Sequence, residues 1–405
     1  MSMHETFTDL GISPEILKRL ETLNFLKPTP IQQKAIPIAV TGEDVIGIAQ
    51  TGTGKTLAFS IPMVQRLAET RKKGLIIVPT RELAIQVDET LRKIADLYGF
   101  KTAIIIGGEA ISRQIKAIKM NPDIIVATPG RLIDHLQQRT LGLNSVDTLV
   151  LDEADRMLDM GFEPQIKKIL ALVPVNRQTM LFSATMPVAI AEIANKYMKK
   201  PLRIEVAPAG TTAEKVEQEL FIVPKAQKMD LLEKLLWEYK GTVLVFSRTK
   251  HGAKKIAQIL VKGGHKTTEL HSNRSLSQRR EALEGFKSGK YRILIATDIA
   301  ARGIDVTGIE LVVNFDLPDN SEDYVHRIGR TARAGRSGKA VSFASPEQKK
   351  DVEAIERLIR VVLPVAEVPG LTKPFEESLP TSKTYRSGRR VSSASKGGFR
   401  RRLSR

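Results

Sequence analysis

A chain of 405 residues with 42% hydrophobic composition can build two ordinary cores, and no apolar run reaches the roughly 18 residues of a membrane span. Its formal net charge of +18, from 63 Lys and Arg against 45 Asp and Glu, points to a polyanionic partner. The absence of cysteine excludes disulfides and thiolate metal sites. With residues 1–9 lacking the basic and apolar regions of a secretory signal, a cytoplasmic protein without membrane contact is expected.

In chain order, a helical pattern at 14–23 precedes short β-rich runs at 45–49, 74–79, 102–106, 124–127, 148–151, 179–183 and 202–206, with helical patterns between most of them. After Pro208 a polar stretch interrupts the alternation. It resumes with runs at 219–223, 242–246, 266–270, 292–296, 311–315 and 340–343. Strand and helix alternating in this way predict an α/β fold of two tandem parallel-sheet domains with helices on both faces. The boundaries fall at 1–208 for the first domain, 209–218 for a linker, 219–370 for the second domain and 371–405 for a basic tail. From 381 onward the tail holds nine Lys and Arg and no acid, with much Ser and Gly, so it cannot bury enough apolar surface to offset the entropy of ordering and is expected to be disordered.

The chemistry is carried by Ala49-Gln50-Thr51-Gly52-Thr53-Gly54-Lys55-Thr56, which follows an apolar strand and opens a helical pattern running from 55 to 67. That context makes it a P-loop: glycines 52 and 54 let backbone N–H groups cradle phosphate oxygens at a positive helix end, and Lys55 reaches the β- and γ-phosphates. Thr51 and Thr53 belong to the same cradle. The Thr56 hydroxyl and Asp152, at the end of the strand at 148–151, are the expected Mg²⁺ ligands. Glu153 is the candidate to orient or deprotonate the attacking water of a nucleoside triphosphatase. The second domain has no P-loop, so a part in catalysis has to be played across the cleft between domains.

Beyond these two motifs the chain resembles the DEAD-box RNA helicases over about residues 7–370. The resemblance is carried by Phe7 with Phe25 and Pro28-Thr29-Pro30-Ile31-Gln32, by Pro79-Thr80-Arg81-Glu82-Leu83, Gly107-Gly108, Thr128-Pro129-Gly130-Arg131 and Ser183-Ala184-Thr185. In the second half it is carried by Val245-Phe246-Ser247-Arg248-Thr249, Ala296-Thr297-Asp298 through Arg302-Gly303-Ile304-Asp305, and His326-Arg327-Ile328-Gly329-Arg330-Thr331-Ala332-Arg333. The run 245–253 and the ending near Val368-Pro369-Gly370 resemble the bacterial RhlE type.

The resemblance implies RecA-like domains and an ATP- and Mg²⁺-dependent RNA helicase. Gln32 would read the adenine edge with the donor and acceptor of its amide, and Phe25 would stack. Phe7 would support the same pocket or serve as a core staple on the first helix. Arg330 and Arg333 would be arginine fingers, Asp305 a ribose contact, and His326 a hydrogen-bonding partner of Asp155 or Ser183. Surface arginines are more often solvated, and Arg327 and Arg336 are expected to be so. RNA would meet Arg81, Gly107, Gly108, Thr128, Gly130 and Arg131 in the first domain and Arg248, Arg279 and Thr297 in the second, through backbone contacts that ignore sequence. A monomer acting on ribosomal precursors or in RNA decay is expected, with an ATP-gated RNA clamp as the competing reading. Four positions depart from the family pattern: Asn24, Ser272 and Ala332 where glycine is usual or commoner, Ser272 being the residue after His271, and Leu276 where glutamine is usual.

Overall fold

The apolar runs become strands, and the central ones alternate their side chains between two cores. The computed structural model describes residues 6–50, 52–206, 216–301, 309–331 and 338–367, all inside a single unit, Met1–Val368. In the first domain the strands are β1 (Val45–Ile48), β2 (Lys73–Ile77), β3 (Thr102–Ile105), β4 (Ile124–Ala127), β5 (Val146–Leu151), β6 (Gln178–Ser183) and β7 (Leu202–Glu205). They form one parallel sheet in the order β3-β4-β2-β5-β6-β1-β7. Val45, Ile76, Val126, Val150 and Met180 face one buried cluster, whereas Ile46, Ile77, Ile125, Leu149 and Leu181 face another. A sheet covered on both faces needs apolar residues at every position, which is why these strands read as continuous hydrophobic runs.

The second domain repeats the plan with β8 (Val216–Ile222), β9 (Val243–Phe246), β10 (Thr267–Leu270), β11 (Ile293–Ala296), β12 (Leu311–Asn314) and β13 (Gly338–Ala344), parallel in the order β10-β11-β9-β12-β13-β8. Again the strands divide, Leu244, Leu294 and Val312 to one cluster and Val243, Ile293 and Val313 to the other. The linker expected to run to 218 is shorter at its end, because β8 already pairs with β13 from Val216↔Gly338. Val216, Gln218 and Leu220 turn inward while Glu217 stays exposed, so an edge strand with one polar face imitated a polar linker. The tail at 371–405, and the linker residues 207–215, lie outside the described residues.

Helix boundaries follow local capping chemistry. Helix α1 (Pro14–Thr22) starts on Ser13, whose hydroxyl accepts from the Ile16 amide, with Pro14 at its first position. It ends before Asn24, which takes φ 61°. Asn visits this left-handed region more readily than other non-glycine residues, which explains how it stands where the family pattern has glycine. Helices α2 (Pro30–Ala39), α3 (Lys55–Thr70) and α4 (Arg81–Ala95) follow, the last capped by the Thr80 hydroxyl accepting from the Leu83 amide at 3.3 Å.

Candidate active site

Sheet order alone gathers the nucleotide motifs. The P-loop leaves the C-terminal end of β1, Ser183-Ala184-Thr185 leaves β6 beside it, and Asp152-Glu153 leaves β5 next along, so three neighbouring strands deliver three motifs to one edge. This is the edge where open α/β sheets bind ligands.

Gly52 and Gly54 take φ of 82° and 91°, the left-handed region that glycine enters without strain. A Cβ on Gly54 would run into the Gln32 amide nitrogen and the Thr29 hydroxyl, so the glycine also makes room for the segment before α2. Gln32 is buried; its Nε2 donates to the Gly54 carbonyl at 2.9 Å and its Oε1 accepts from the Thr29 amide at 2.9 Å. The expected adenine reader is therefore also a brace tying α2 to the P-loop, with one N–H and one acceptor lone pair beyond these two bonds. Thr53 Oγ1 donates to the Gln50 carbonyl at 2.7 Å and closes the loop on itself. Lys55, buried as the first residue of α3, donates from Nζ to the Ala49 carbonyl at 3.0 Å. Thr51 lies outside the described residues.

Of the two aromatics, Phe25 is half-buried, whereas Phe7 is buried in the main cluster of the first domain with Leu10 and Ile16. The core-staple alternative for Phe7 is the one its surroundings match.

Asp152 and Glu153 are both buried, and their charges are managed in opposite ways. Burial, helped by the neighbouring Glu153 charge and opposed by Lys55, pushes the Asp152 carboxyl up to about 6. Burial acts in the same direction on Glu153, but Arg156, Lys55 and Arg330 outweigh it and hold its carboxyl below the usual range. Glu153 is ion-paired with Arg156 and sits in the left-handed region at φ 52°. Sequence reasoning missed Arg156, whose place one helical turn after Glu153 was the available signal. The Thr56 hydroxyl and Asp152 carboxylate are hard oxygen donors of the kind Mg²⁺ takes.

Asp155 connects β5 to β6. Its amide donates to Ser183 Oγ at 3.1 Å, and its Oδ2 accepts from the Ala184 amide at 3.0 Å and from the Thr185 amide at 2.8 Å and hydroxyl at 3.0 Å. These bonds occupy both residues that His326 was expected to engage, and His326 is not among their hydrogen-bonding partners within the described residues. Its link to Asp155 is instead electrostatic: burial and Arg330 lower the His326 imidazole to about 4, and Asp155 and Glu153 pull the other way.

Arg330 is buried, and its Nε donates to the His326 carbonyl at 3.2 Å. It belongs to the second domain, yet its charge acts on Glu153 of the first. Arg333 and Asp305 lie outside the described residues, as does Arg336. Arg327 is not the solvated cation expected. It is 2% exposed, forked onto Asp298 at 2.6 and 2.7 Å, bonded to Asn314 and the Asp316 carbonyl, and stacked on Phe246. Only the three-dimensional partner 29 residues away could have revealed this.

The RNA candidates gather on the other half of the first sheet's edge. Arg81 follows β2, Gly107 and Gly108 follow β3, and Thr128, Gly130 and Arg131 follow β4, and these strands are adjacent. The Arg81 guanidinium lies against Gly107 and Gly108, and a Cβ on Gly130 would meet only open space. Arg131 is held from behind by the Glu109 carbonyl at 3.0 Å and Gln114 at 3.3 Å. In the second domain Arg248 follows β9 and Thr297 follows β11, again neighbours, with Arg248 anchored to the Leu317 carbonyl and Asp319. Arg279 differs from expectation. It is buried and paired at 2.9 Å with Glu82 of the first domain, so its guanidinium is engaged between domains rather than presented for RNA.

Comparison with known proteins fits this geometry. A DEAD/DEAH box helicase family model matches residues 29–193, and a helicase conserved C-terminal domain model matches residues 227–335. The chain belongs to the DEAD-box ATP-dependent RNA helicases. It is 43% identical over 374 residues to CshA of Bacillus subtilis, covering 92% of this chain and 76% of that protein, and 44% identical to CshA of Geobacillus kaustophilus, covering 92% and 80%. Among solved structures, S. cerevisiae Dbp5 bound to RNA and ADP BeF3 superposes with a TM-score of 0.80 at 29% identity, covering 90% of this chain and 96% of that one. Mss116p bound to ssRNA and AMP-PNP gives 0.79 at 32% identity, covering 87% and 77%. As a member of this helicase family the chain is an RNA-dependent ATPase built from two RecA-like domains.

Proposed function

We propose that this helicase separates short RNA duplexes, or remodels RNA–protein complexes, by closing its two domains on ATP and gripping one strand through its sugar-phosphate backbone. The observation that carries the reading is that the two domains meet at the cleft, where Arg279 of the second pairs with Glu82 of the first at 2.9 Å, and the Arg330 charge helps hold the Glu153 carboxyl down. A site whose acid–base residue feels a cation from the other domain is complete only when the domains meet. The superposition on RNA- and nucleotide-bound Dbp5, with a TM-score of 0.80 over 90% of this chain, supports a closed arrangement.

In this reading Lys55 and the glycine amides bind the phosphates, Gln32 selects adenine, and Thr56 and Asp152 hold Mg²⁺, which supplies charge neutralisation on the phosphoryl oxygens when bound. Glu153, kept ionised by Arg156 and Lys55, orients water. Asp305 and Arg333 keep the ribose and finger roles that their motif positions imply. Arg81, Gly107, Gly108, Thr128, Gly130, Arg131, Arg248 and Thr297 face phosphates, and the basic tail adds a sequence-independent tether. We also assign the chain to the RhlE-type subgroup on its 245–253 run, acting as a cytoplasmic monomer in ribosome assembly or RNA decay. Strand displacement at substoichiometric enzyme tests the proposal: several duplexes opened per enzyme with ATP supports it, whereas one RNA held per enzyme without displacement would favour an ATP-gated clamp.

A further inference from the structure

The first turn of helix Leu276–Lys287, in the second domain, reaches the first domain three times. Leu276, half-buried, packs against the main apolar cluster of the first domain. One turn on, Arg279 pairs with Glu82 at 2.9 Å, and beside it Arg280 stands 4.0 Å from Glu89. Glu82 and Glu89 lie on one face of α4, with Ile85 between them and packed on the same cluster. A capping box fixes the approach: the Ser275 hydroxyl accepts from the Gln278 amide, and the Gln278 side chain accepts from the Ser275 amide.

We propose that Leu276 is a positioning residue whose apolar contact sets how readily the two domains close. The neighbouring ion pairs are poor candidates for that task. Glu82 and Arg279 are both buried, and among the described residues neither Glu82 oxygen nor Arg279 Nε has a hydrogen-bond partner. Desolvation therefore cancels much of their attraction, and they serve to fix register. Arg280 and Glu89 are both largely exposed at the edge of ion-pair distance, where screening leaves little. Burial of Leu276 is opposed by neither cost. Because the contact exists only when the domains meet, its free energy goes entirely into the closure equilibrium. Glutamine, the residue of the family pattern here, would lose that apolar burial while keeping the length of the side chain.

The inference rests on the reading that closure on ATP grips RNA. Full-length protein and its Leu276→Gln and Leu276→Met variants would be titrated with a labelled single-stranded RNA, once with a non-hydrolysable ATP analogue and once with ADP. Leu276→Gln is expected to bind about 10-fold more weakly with the analogue, the equivalent of about 1.4 kcal/mol, and within about twofold of wild type with ADP. Leu276→Met, which keeps apolar volume, is expected to stay near wild type in both states. Wild-type affinity of Leu276→Gln with the analogue, or an equal loss with ADP, would overturn the proposal. A wild-type protein whose RNA affinity ignores the nucleotide would instead overturn the closure reading beneath it.

Discussion

Asp155 holds Thr185 twice, through the Thr185 amide at 2.8 Å and its hydroxyl at 3.0 Å, both on the same carboxylate oxygen. The pair ties the segment after β5, which carries Glu153, to the segment after β6. The two segments are thus joined at the edge of the cleft by a part-buried, charge-assisted link.

Thr185→Ala removes one of those bonds and leaves the amides in place. Losing a hydrogen bond to a charged acceptor costs about 1.5–3 kcal/mol, so the first unfolding transition in urea should move to lower denaturant. ATP consumed per duplex separated should rise as the two segments move less as one. Unchanged stability and coupling would show that the amides alone carry the link.

Lys55→Ala and Glu153→Gln should separate binding from hydrolysis. Without the ammonium, nucleotide affinity falls. With Glu153 neutralised, ATP still binds but hydrolysis stalls with RNA held. Direct nucleotide titration and single-turnover hydrolysis read the two effects separately, and wild-type turnover in Glu153→Gln would remove that residue from the chemistry.

His326 gives a pH dependence of defined sign. Its folded-state value near 4 lies below the unfolded value of 6.5, so the unfolded chain takes up the proton first and stability falls as pH drops through that window. His135, His265 and His271, each lowered chiefly by burial, act in the same sense. Asp152, raised to about 6, acts in the opposite sense, since its protonation favours the folded state. Comparing urea midpoints of wild type and His326→Asn between pH 7 and 5 isolates the one contribution: the variant should lose less stability on acidification. Parallel curves would contradict the assignment.

What the sequence made legible was whatever is local. The strand at 124–127 was found at its observed bounds, Ile124–Ala127, because a strand buried on both faces advertises itself in every residue. The P-loop and Asp152-Glu153 were legible for a similar reason, since phosphate binding needs a contiguous backbone shape. Pairings across the fold were not. Arg327 looks like any helix-surface cation until Asp298 is placed beside it, and Arg279 looks like an RNA contact until Glu82 arrives from the other domain. The early start of β8 escaped because an edge strand can keep one polar face.

The basic tail makes a prediction from composition alone. Truncation after residue 380 should leave folding and RNA-independent ATPase intact, while RNA affinity falls and its dependence on salt becomes shallower, whatever the RNA sequence. Identical salt slopes for the two proteins would reduce the tail to a solubilising extension.

The central claim is that the active site is completed across the cleft by Arg330, and single-turnover ATP hydrolysis with RNA bound tests it most directly. Arg330→Ala should lower the rate by about 10³-fold or more, within the range of a lost arginine finger, while affinity for ADP, which lacks the transferred group, stays within about twofold. A wild-type hydrolysis rate, or an equal loss of ADP binding, would contradict it and return Arg330 to a structural part within its own domain.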